Sequence, residues 1–300
     1  MRFKGLDLNL IVVLDRLLTE QNVSRASDQL HLSQSATSAA LARLREYFGD
    51  QLLTQIGRRM VPTPRGLELG PAVRAVLMQI DARVLNREAF DPAISNRSFR
   101  IMASDYVSLV ALRHGLARIS AMAPAMTFTI TPGDETPARM LERGDVDLLI
   151  MPDRFVSELH PSIEYFRDRY VCVADPDFRQ SGGDLTFDEF LSKPHAVVRF
   201  SQGRQLTFED WFLERYGHAR RIELITTSYA SLPYLIAGSR RLATLHERHA
   251  DLAAPMLGLA VMPCPVEIPP IREVIQWHSA MDGDDALEWV RSMLLMERTE

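Results

Sequence analysis

The 300-residue chain has little cysteine and lacks the segments that mark an exported or membrane-bound protein. Its two cysteines, Cys172 and Cys264, lie far apart in sequence with no second pair, so we predict that each is a small buried residue and not a disulfide partner or metal ligand. No apolar run is suited to export, and none approaches a membrane-spanning length. We therefore expect a cytoplasmic protein with no membrane partner.

The common motifs of nucleotide-binding and hydrolytic enzymes are also missing. No GxGxxG follows a predicted strand, and neither GxxxxGK[ST] nor GxSxG occurs. His246 and His249 fall three apart in His-Glu-Arg-His, which lacks the spacing of a zinc-protease helix, so we predict a solvated helix end there. We expect no catalytic residue, no metal and no cofactor.

Positive charge is scarce overall but unevenly distributed. The chain has a net charge of −5, which argues against nucleic-acid binding by the whole molecule. Residues 1–66 nevertheless carry nine Lys and Arg against six Asp and Glu, which leaves −8 for residues 67–300. A basic end on an acidic body favours a nucleic-acid-binding module joined to something else.

Residues 23–48 predict two short helices at a sharp turn. Ser24 is the expected cap of the first helix, which would run to Leu30, and His31-Leu32 would form the turn. Ser33 is suited to cap the second helix. Upstream, a leucine pattern predicts an amphipathic helix that completes a three-helix core; its members are Leu10, Leu14, Leu17 and Leu18.

Small polar residues of the second helix lie off its apolar stripe. Leu41, Leu44 and Phe48 recur at i, i+3 and i+7 and predict the buried side. Short side chains at a helix tip can reach base edges in the major groove, and nearby cations can hold phosphates. The residues expected to contact DNA are Ser33, Gln34, Ser35, Ser38, Arg43, Arg45, Arg58 and Arg59. The pattern alone also fits a helical hairpin without a ligand.

Residues 49–64 predict a β-hairpin wing after the second helix. Two short extended runs flank Gly57, and Arg58 and Arg59 follow it. Such a tip can place cations on the sugar-phosphate backbone. The alternative is an ordinary exposed turn with solvated arginines.

These segments resemble the LysR-type transcriptional regulators. The similarity is carried by LSQSATS at 32–38, LARLR at 41–45 and PTP at 62–64, and the opening MRFKGLDLNL resembles the branch of nodulation and aromatic-catabolism regulators. Ser35 stands where the family usually has proline, and Arg25 and Ser27 replace alanines. Since proline pre-sets φ in the first turn of a helix, the base preference could differ while the fold should not.

Residues 64–88 predict a linker helix. Its near-heptad apolar stripe consists of Leu69, Val73, Val76, Ile80 and Val84. An isolated stripe of this kind favours pairing with a second copy, and the resemblance implies dimerisation here. Packing on its own chain is the alternative. Gly66, Gly70 and Pro71 would weaken the first turns, and we place a boundary near Asn96.

Residues 97–300 alternate predicted strands and helices, a pattern typical of an α/β domain with mostly parallel sheets. The resemblance implies two lobes like those of a periplasmic binding protein, with crossings near Arg167 and Ile268. Ligands of open α/β sheets bind beyond the carboxyl ends of strands. The candidate effector-binding residues are Ser104, Asp105, Tyr106, Thr131, Arg169, Phe200, Ser201, Thr227, Ser228 and Arg248. Singly, each also fits a capping or surface residue.

The sequence therefore predicts an α+β multidomain protein: a winged helix-turn-helix (1–63), a linker helix and hinge (64–96), and a two-lobed α/β effector domain (97–300). Lobe I would comprise 97–167 and 268–300, and lobe II 168–267. The resemblance implies a homodimer or dimer of dimers that binds promoter DNA, contacts RNA polymerase and responds to a small inducer, with aromatic compounds expected. A ligand-independent regulator and a small-molecule-binding protein without a DNA role are the alternatives.

Overall fold

The protein folds as two compact units. The computed structural model describes residues 2–57, 59–81, 84, 90–133, 136–178, 185–199, 215 and 220–296. The first unit comprises Met1–Phe90, Ala138–Asp147 and His278–Glu288, and the second comprises Asp91–Pro137, Leu148–Trp277 and Trp289–Glu300. Within the described ranges, no helix combines the length and apolar character needed to cross a bilayer.

The N-terminal part of the first unit is a three-helix core with a hairpin. Its elements are β1 (Arg2–Phe3), β2 (Leu6–Asp7), α1 (Asn9–Glu20), α2 (Val23–Leu30), α3 (Gln34–Phe48), β3 (Leu53–Ile56), β4 (Arg59–Pro62) and α4 (Pro64–Ile80). Leu14, Leu17 and Leu44 are fully buried where α1 and α3 meet. β3 and β4 pair antiparallel and form the predicted wing.

Helix α4 divides its apolar residues between two faces, which corrects the prediction of one stripe. Leu69 and Val73 pack against the three-helix core, because α4 lies along α1. Val76 and Ile80 of α4, and Val84 beyond the end of the helix, remain 46%, 37% and 56% exposed. Packing on its own chain, the alternative interpretation, therefore holds for one face of the helix.

A buried ion pair fixes α4 to α1. Arg74 Nε donates to Asp15 Oδ1 at 2.6 Å, and Arg74 Nη2 donates to Thr19 Oγ1 at 2.8 Å. Burial raises the pKa of Asp15, and Arg74 opposes that effect. Because both charges are buried, their attraction is offset by the cost of removing them from water, and loss of either partner would leave an uncompensated buried charge.

From residue 97 onward the chain forms two sheets with helices between their strands. The described elements are β5 (Ser98–Met102), α5 (Asp105–Val107), a π-helical turn (Ser108–Leu112), α6 (Arg113–Met122), β6 (Thr127–Thr131), α7 (Pro137–Glu142), β7 (Leu148–Pro152), β8 (Ser162–Asp168), β9 (Tyr170–Ala174), α8 (Phe187–Ser192), β10 (Pro194–Val198), β11 (Arg221–Thr226), α9 (Leu232–Ile236), β12 (Leu242–His246), α10 (Glu247–Leu257), β13 (Ala260–Pro263), β14 (Ile271–Gln276) and α11 (Asp285–Leu295).

Among the described strands, each sheet combines parallel and antiparallel pairs. The orders are β6-β5-β7-β14-β8 and β11-β10-β12-β9-β13. In the first sheet β14 runs antiparallel to both neighbours, and in the second β9 does. The prediction of mostly parallel sheets is thus wrong for half of the pairings, because the strands next to the crossings run antiparallel.

The crossings themselves are short. The chain leaves the first sheet at Asp168 and enters the second at Tyr170, so Arg169 is the whole forward connection. It returns between Pro263 and Ile271. Strand β8, which leads into the forward connection, has mostly exposed side chains and lacks a regular apolar face.

Candidate nucleic-acid interface and candidate effector site

The turn between α2 and α3 is built from local caps. Ser33 Oγ accepts the amide of Ala36 and begins α3, as predicted, and His31 ends α2 with φ +53°. The predicted cap at Ser24 is wrong: the cap is Asn22, two residues earlier, whose Oδ1 accepts the amide of Arg25. Gln21 already adopts φ +48° after α1, so the chain turns early enough for Asn22 to take that position.

The N-terminal tip of α3 presents polar side chains to solvent. Gln34, Ser35 and Ser38 are exposed, whereas Leu41 and Leu44 on the other side are buried. Gln34 Nε2 donates to Ser24 Oγ at 2.9 Å, which links the two helices across the turn. The predicted division of α3 into a buried and an open face is therefore present.

The arginines near this tip fall into different environments. Arg43 Nη2 lies 3.0 Å from Asp7 Oδ2 and stays half exposed, and this contact lowers the pKa of Asp7. Arg45 donates through Nε to the Gln51 carbonyl and through Nη2 to the Leu53 carbonyl, at 2.9 and 2.7 Å. Arg59 is exposed at the start of β4, and Arg58 lies outside the described residues. Arg45 thus holds the wing onto α3.

A polar network that sequence reasoning missed joins the wing to α4. Thr63 Oγ1 donates to Asp50 Oδ1 at 2.6 Å and accepts the amide of Gly66, so it caps α4. The bond from Thr63 lowers the pKa of Asp50. A Cβ on Gly66 would overlap the Leu52 carbonyl oxygen. The Thr-Pro pair before an apolar helix was the available signal, since proline favours the first helical position.

The predicted effector residues around α5 contact protein groups. Ser104 Oγ accepts the amide of Val107 and caps α5. Asp105 accepts Ser228 Oγ at 2.7 Å and the amide of Ala230 at 3.0 Å, from the turn after β11. Asp105, which follows β5 of the first sheet, and Ser228, which follows β11 of the second sheet, are therefore brought together. Thr227 is exposed beside them.

Tyr106 lies in the interior and does not face solvent. Its ring is 1% exposed and stacks on His246 with centroids 4.1 Å apart, and its hydroxyl donates to Asp168 Oδ2 at 2.5 Å. Burial, reinforced by Asp168, raises the pKa of Tyr106. Asp168 also accepts the backbone amide of Arg248, so the carboxylate joins α5, the forward crossing and α10.

The remaining predicted residues do not converge on one point. Arg169 Nε pairs with Glu247 Oε2 at 2.5 Å, and the arginine side chain is 72% exposed. The exposed Arg248 guanidinium lies 5.0 Å from the Phe166 ring centroid. Thr131 Oγ1 is buried with no hydrogen-bond partner within the described part of the chain. Phe200 and Ser201 lie outside the described residues.

Tyr106 belongs to a cluster of buried polar side chains that the sequence did not reveal. We call Tyr106, Asp168, His246 and Glu273 the crossing cluster. Glu273 on β14 is 2% exposed, and burial raises its pKa to about 8. Burial lowers the pKa of His246 to about 3, and neither of its ring nitrogens has a hydrogen-bond partner among the described residues.

The prediction of a solvated helix end at His246 and His249 is wrong. Both rings are 3% exposed, because His246 ends β12 and His249 lies on the inner side of α10. Burial lowers the pKa of His249 as well. Within the described ranges, no three His, Cys, Asp or Glu side chains gather to hold a metal ion.

A winged helix-turn-helix, a long helix and a two-sheet α/β domain together form the architecture of a DNA-binding transcriptional regulator. The chain belongs to the LysR family of such regulators. Residues 8–67 match the bacterial regulatory helix-turn-helix protein model of the lysR family, and residues 94–298 match the LysR substrate binding domain. The resemblance found in the sequence is confirmed.

Relatives and solved structures agree with this assignment. The chain is 42% identical to nodulation protein D 2 of Rhizobium tropici, over 99% of this chain and 94% of the relative, and 40% identical to nodulation protein D 1 of Mesorhizobium japonicum, over 99% and 95%. A probable transcriptional regulator from Pseudomonas aeruginosa superposes with a TM-score of 0.64 at 31% identity, covering 97% of both chains. Full-length OxyR from the same organism shares the fold at 16% identity, with a TM-score of 0.75 over 98% of this chain and 96% of OxyR.

Proposed function

We propose that this regulator recognises its operator with the tip of α3 and changes its DNA-bound state when a small aromatic or phenolic inducer binds between the two sheets. The main observation in support is that Gln34, Ser35 and Ser38 are exposed on a helix whose other face is buried. Such a face can enter the major groove without unfolding anything. The DNA-binding module would comprise residues 1–63, the linker 64–96 and the effector domain 97–300.

The polar tip and the arginines have different proposed roles. Gln34, Ser35 and Ser38 contact base edges, with Ser33 placing them by its cap, and sequence preference resides there. Arg43, Arg58 and Arg59 hold phosphates. Arg45 contributes to phosphate contact mainly by positioning the wing, since two of its donors are engaged by backbone carbonyls.

The exposed face of α4 supports a homodimer and a dimer of dimers. Val76, Ile80 and Val84 recur every four residues and remain exposed after the opposite face has packed on the core. A second copy would cover this face, because unpartnered apolar stripes at this spacing favour helix pairing. Paired half-sites would then lie about 34 Å apart or at multiples of that distance.

The inducer site would lie beside the crossing cluster. Tyr106 and Tyr229 contribute aromatic rings, while Glu273, Thr131 and His246 contribute buried polar atoms. Aromatic walls with a few polar groups suit a hydroxylated aromatic compound, and the relatives named nodulation protein D share the full length of the chain. Ligand binding would act by shifting the population of two states, which requires unequal affinity for them.

We further propose that the protein acts in the cytoplasm, activates an adjacent catabolic or symbiotic operon, and contacts RNA polymerase when induced. Selection of bound genomic fragments, with and without candidate phenolic compounds, tests the whole proposal. Enrichment of one dyad-symmetric sequence, with a footprint altered by one phenolic class, is expected. Binding without enrichment of any sequence would overturn the DNA-recognition assignment.

A ligand-independent regulator is the second candidate, and one observation favours it. Ser104, Asp105 and Tyr106 already form hydrogen bonds within the protein, so their polar atoms need no ligand to be satisfied. A footprint unchanged by every phenolic tested, on an operator that is still recognised, would select this candidate over the first.

A further inference from the structure

The two cysteines, distant in sequence, lie close together in the second sheet, Cys172 on β9 and Cys264 directly after β13. Cys172 is on β9 and pairs in register with Met262 on the antiparallel β13, and Cys264 follows two residues after Met262. Cys172 and Cys264 belong to the same hydrophobic cluster, together with Met262 and Val266. The two thiols are close enough for each to shift the pKa of the other. The sequence prediction of two unrelated buried residues is therefore incomplete.

A cationic and hydrogen-bonding environment surrounds the pair. Arg220 is 6% exposed, and its Nη1 donates to Thr244 Oγ1 and to His195 Nδ1, both at 3.1 Å. His195 Nε2 lies 2.6 Å from the Phe190 carbonyl and donates to it, which leaves Nδ1 as the acceptor for Arg220. Burial and Arg220 lower the pKa of His195 to about 3, so Arg220 is the positive charge beside the sulfurs.

The two thiols differ in character. Cys172 is fully buried, and its pKa is raised by the neighbouring Cys264 and by burial. Cys264 is only partly buried, and its pKa is lowered by the neighbouring Cys172, the amide of Val266 and the charge of Arg220. A partly exposed thiol near a cation is the more reactive member of such a pair, because the thiolate is the nucleophile.

We propose that Cys172 and Cys264 form an oxidisable dithiol that closes to an intramolecular disulfide, with Cys264 as the thiol that the oxidant attacks. A hydroperoxide is the class of oxidant considered. The Cys264 thiolate attacks the peroxide, the O–O bond breaks, and a sulfenic acid forms as water or an alcohol leaves. Cys172 then attacks that sulfur, an S–S bond forms, and the sulfenic oxygen departs as water with the Cys172 proton. With hydrogen peroxide, two thiols and one peroxide give one disulfide and two waters.

The proposed dithiol lies close to both connections between the two sheets. β9 begins directly after the forward crossing, and Cys264 lies at the start of the return from β13 to β14. A disulfide would therefore link the two connections between the sheets. It would also close a long chain loop, which restricts the unfolded state.

Mass spectrometry of the full-length protein tests the proposal directly. Folded protein is treated with excess hydrogen peroxide, the remaining thiols are blocked, and the protein is digested with trypsin without reduction. The expected product is peptide 170–179 linked to peptide 249–272, lighter by two hydrogen atoms than the sum of the two and separated again by dithiothreitol. Because the chain has only these two cysteines, the assignment is unambiguous.

Single variants distinguish the two thiols. Cys172→Ala should stop at a sulfenic acid on Cys264 that dimedone traps, whereas Cys264→Ala should oxidise at least tenfold more slowly than the wild type. Disulfides formed only between two chains, or linkage only after unfolding in urea, would overturn the proposal. The wild-type experiment decides these points even where a variant fails to fold.

Discussion

Two helix N-termini in this molecule use the same local device and reach opposite outcomes. Ser33 caps α3 and Ser104 caps α5, each by accepting the amide three residues ahead. After Ser33 the polar residues remain open to solvent. After Ser104, Asp105 binds the turn that follows β11, and Tyr106 is buried against Asp168. The difference arises from what a distant segment of the chain brings to each helix.

This difference separates two ways of building a binding site. If the α3 tip contacts DNA as proposed, it can do so as it stands, and substitutions there should change DNA affinity without changing stability. Around α5 the polar groups already stabilise the fold, so an inducer bound there as proposed would have to displace protein contacts such as Asp105 with Ser228. A site of the second kind couples ligand binding to a rearrangement, because the two states satisfy the same groups differently.

The largest expected effect comes from removing Asp168. Asp168→Ala leaves the buried Tyr106 hydroxyl and the amides of Arg169 and Arg248 without their acceptor, and should lower the free energy of unfolding of the effector lobes by about 3–5 kcal/mol. Urea unfolding followed by circular dichroism measures it. Glu164→Ala on the same strand is the control: Glu164 is exposed and paired with Arg167, so its midpoint should hardly move. Equal losses in both variants would contradict the role given to Asp168.

Glu273 should make stability depend on pH. Its pKa is raised from 4.5 to about 8 in the folded state, so folding favours the protonated form. The stability that this proton supplies is complete below about pH 4.5 and is lost as the pH rises through 8. Glu273→Gln should therefore be more stable than the wild type at pH 9, by several kcal/mol, with no gain at pH 4.5.

Unfolding of both proteins across this range provides the measurement. The neighbouring charges are Arg154, Asp153 and Asp168, and all of them remain in the variant. Glu164→Gln is the matched control with the opposite sign, since Arg167 lowers the pKa of Glu164 and its contribution is lost as the pH falls. A difference between Glu273→Gln and the wild type that is constant from pH 4.5 to 9 would show that Glu273 does not titrate as stated.

The same contrast explains how much the sequence could predict. The cap at Ser33 and the buried side formed by Leu41 and Leu44 depend on residues within a turn or two, and both were found. Choosing Ser24 over Asn22 as a cap failed, because both are suitable caps and the end of α1 decides between them. Local periodicity therefore predicted the α3 face almost completely.

The crossing cluster could not be predicted in the same way. Glu273 is of a residue type that is almost never fully buried without a partner, yet it is buried on β14, a strand whose neighbours β7 and β8 come from a distant part of the chain. His246 and Cys264 gain their neighbours through β9, which contributes residues far away in the chain. Pairing between distant strands has no signature in the spacing of nearby residues.

At the α3 tip the expected effect is on DNA and not on folding. Gln34→Ala should weaken binding to the cognate operator by about 1–3 kcal/mol and reduce the preference over scrambled DNA, because an amide can make two bonds to one base edge. Its only internal bond described is the exposed one to Ser24, so the unfolding midpoint should stay nearly unchanged. Titration of both DNAs by fluorescence anisotropy is the measurement. Equal losses on cognate and scrambled DNA would remove Gln34 from the base-contacting set.

Arg59→Ala should give the smallest effect and the opposite pattern. Arg59 is exposed on the wing and is expected to meet phosphate, so its removal should weaken all DNA sequences alike. Each phosphate contact releases counterions, and the slope of log K against log salt should become shallower by about one per arginine removed. Anisotropy titrations at several salt concentrations, on the same two DNAs as for Gln34→Ala, provide the comparison. A phosphate contact carries no information about the bases, and a base contact adds little to the salt slope. The assigned roles are therefore reversed if Arg59→Ala weakens binding to one DNA more than to the other while Gln34→Ala weakens binding to both equally.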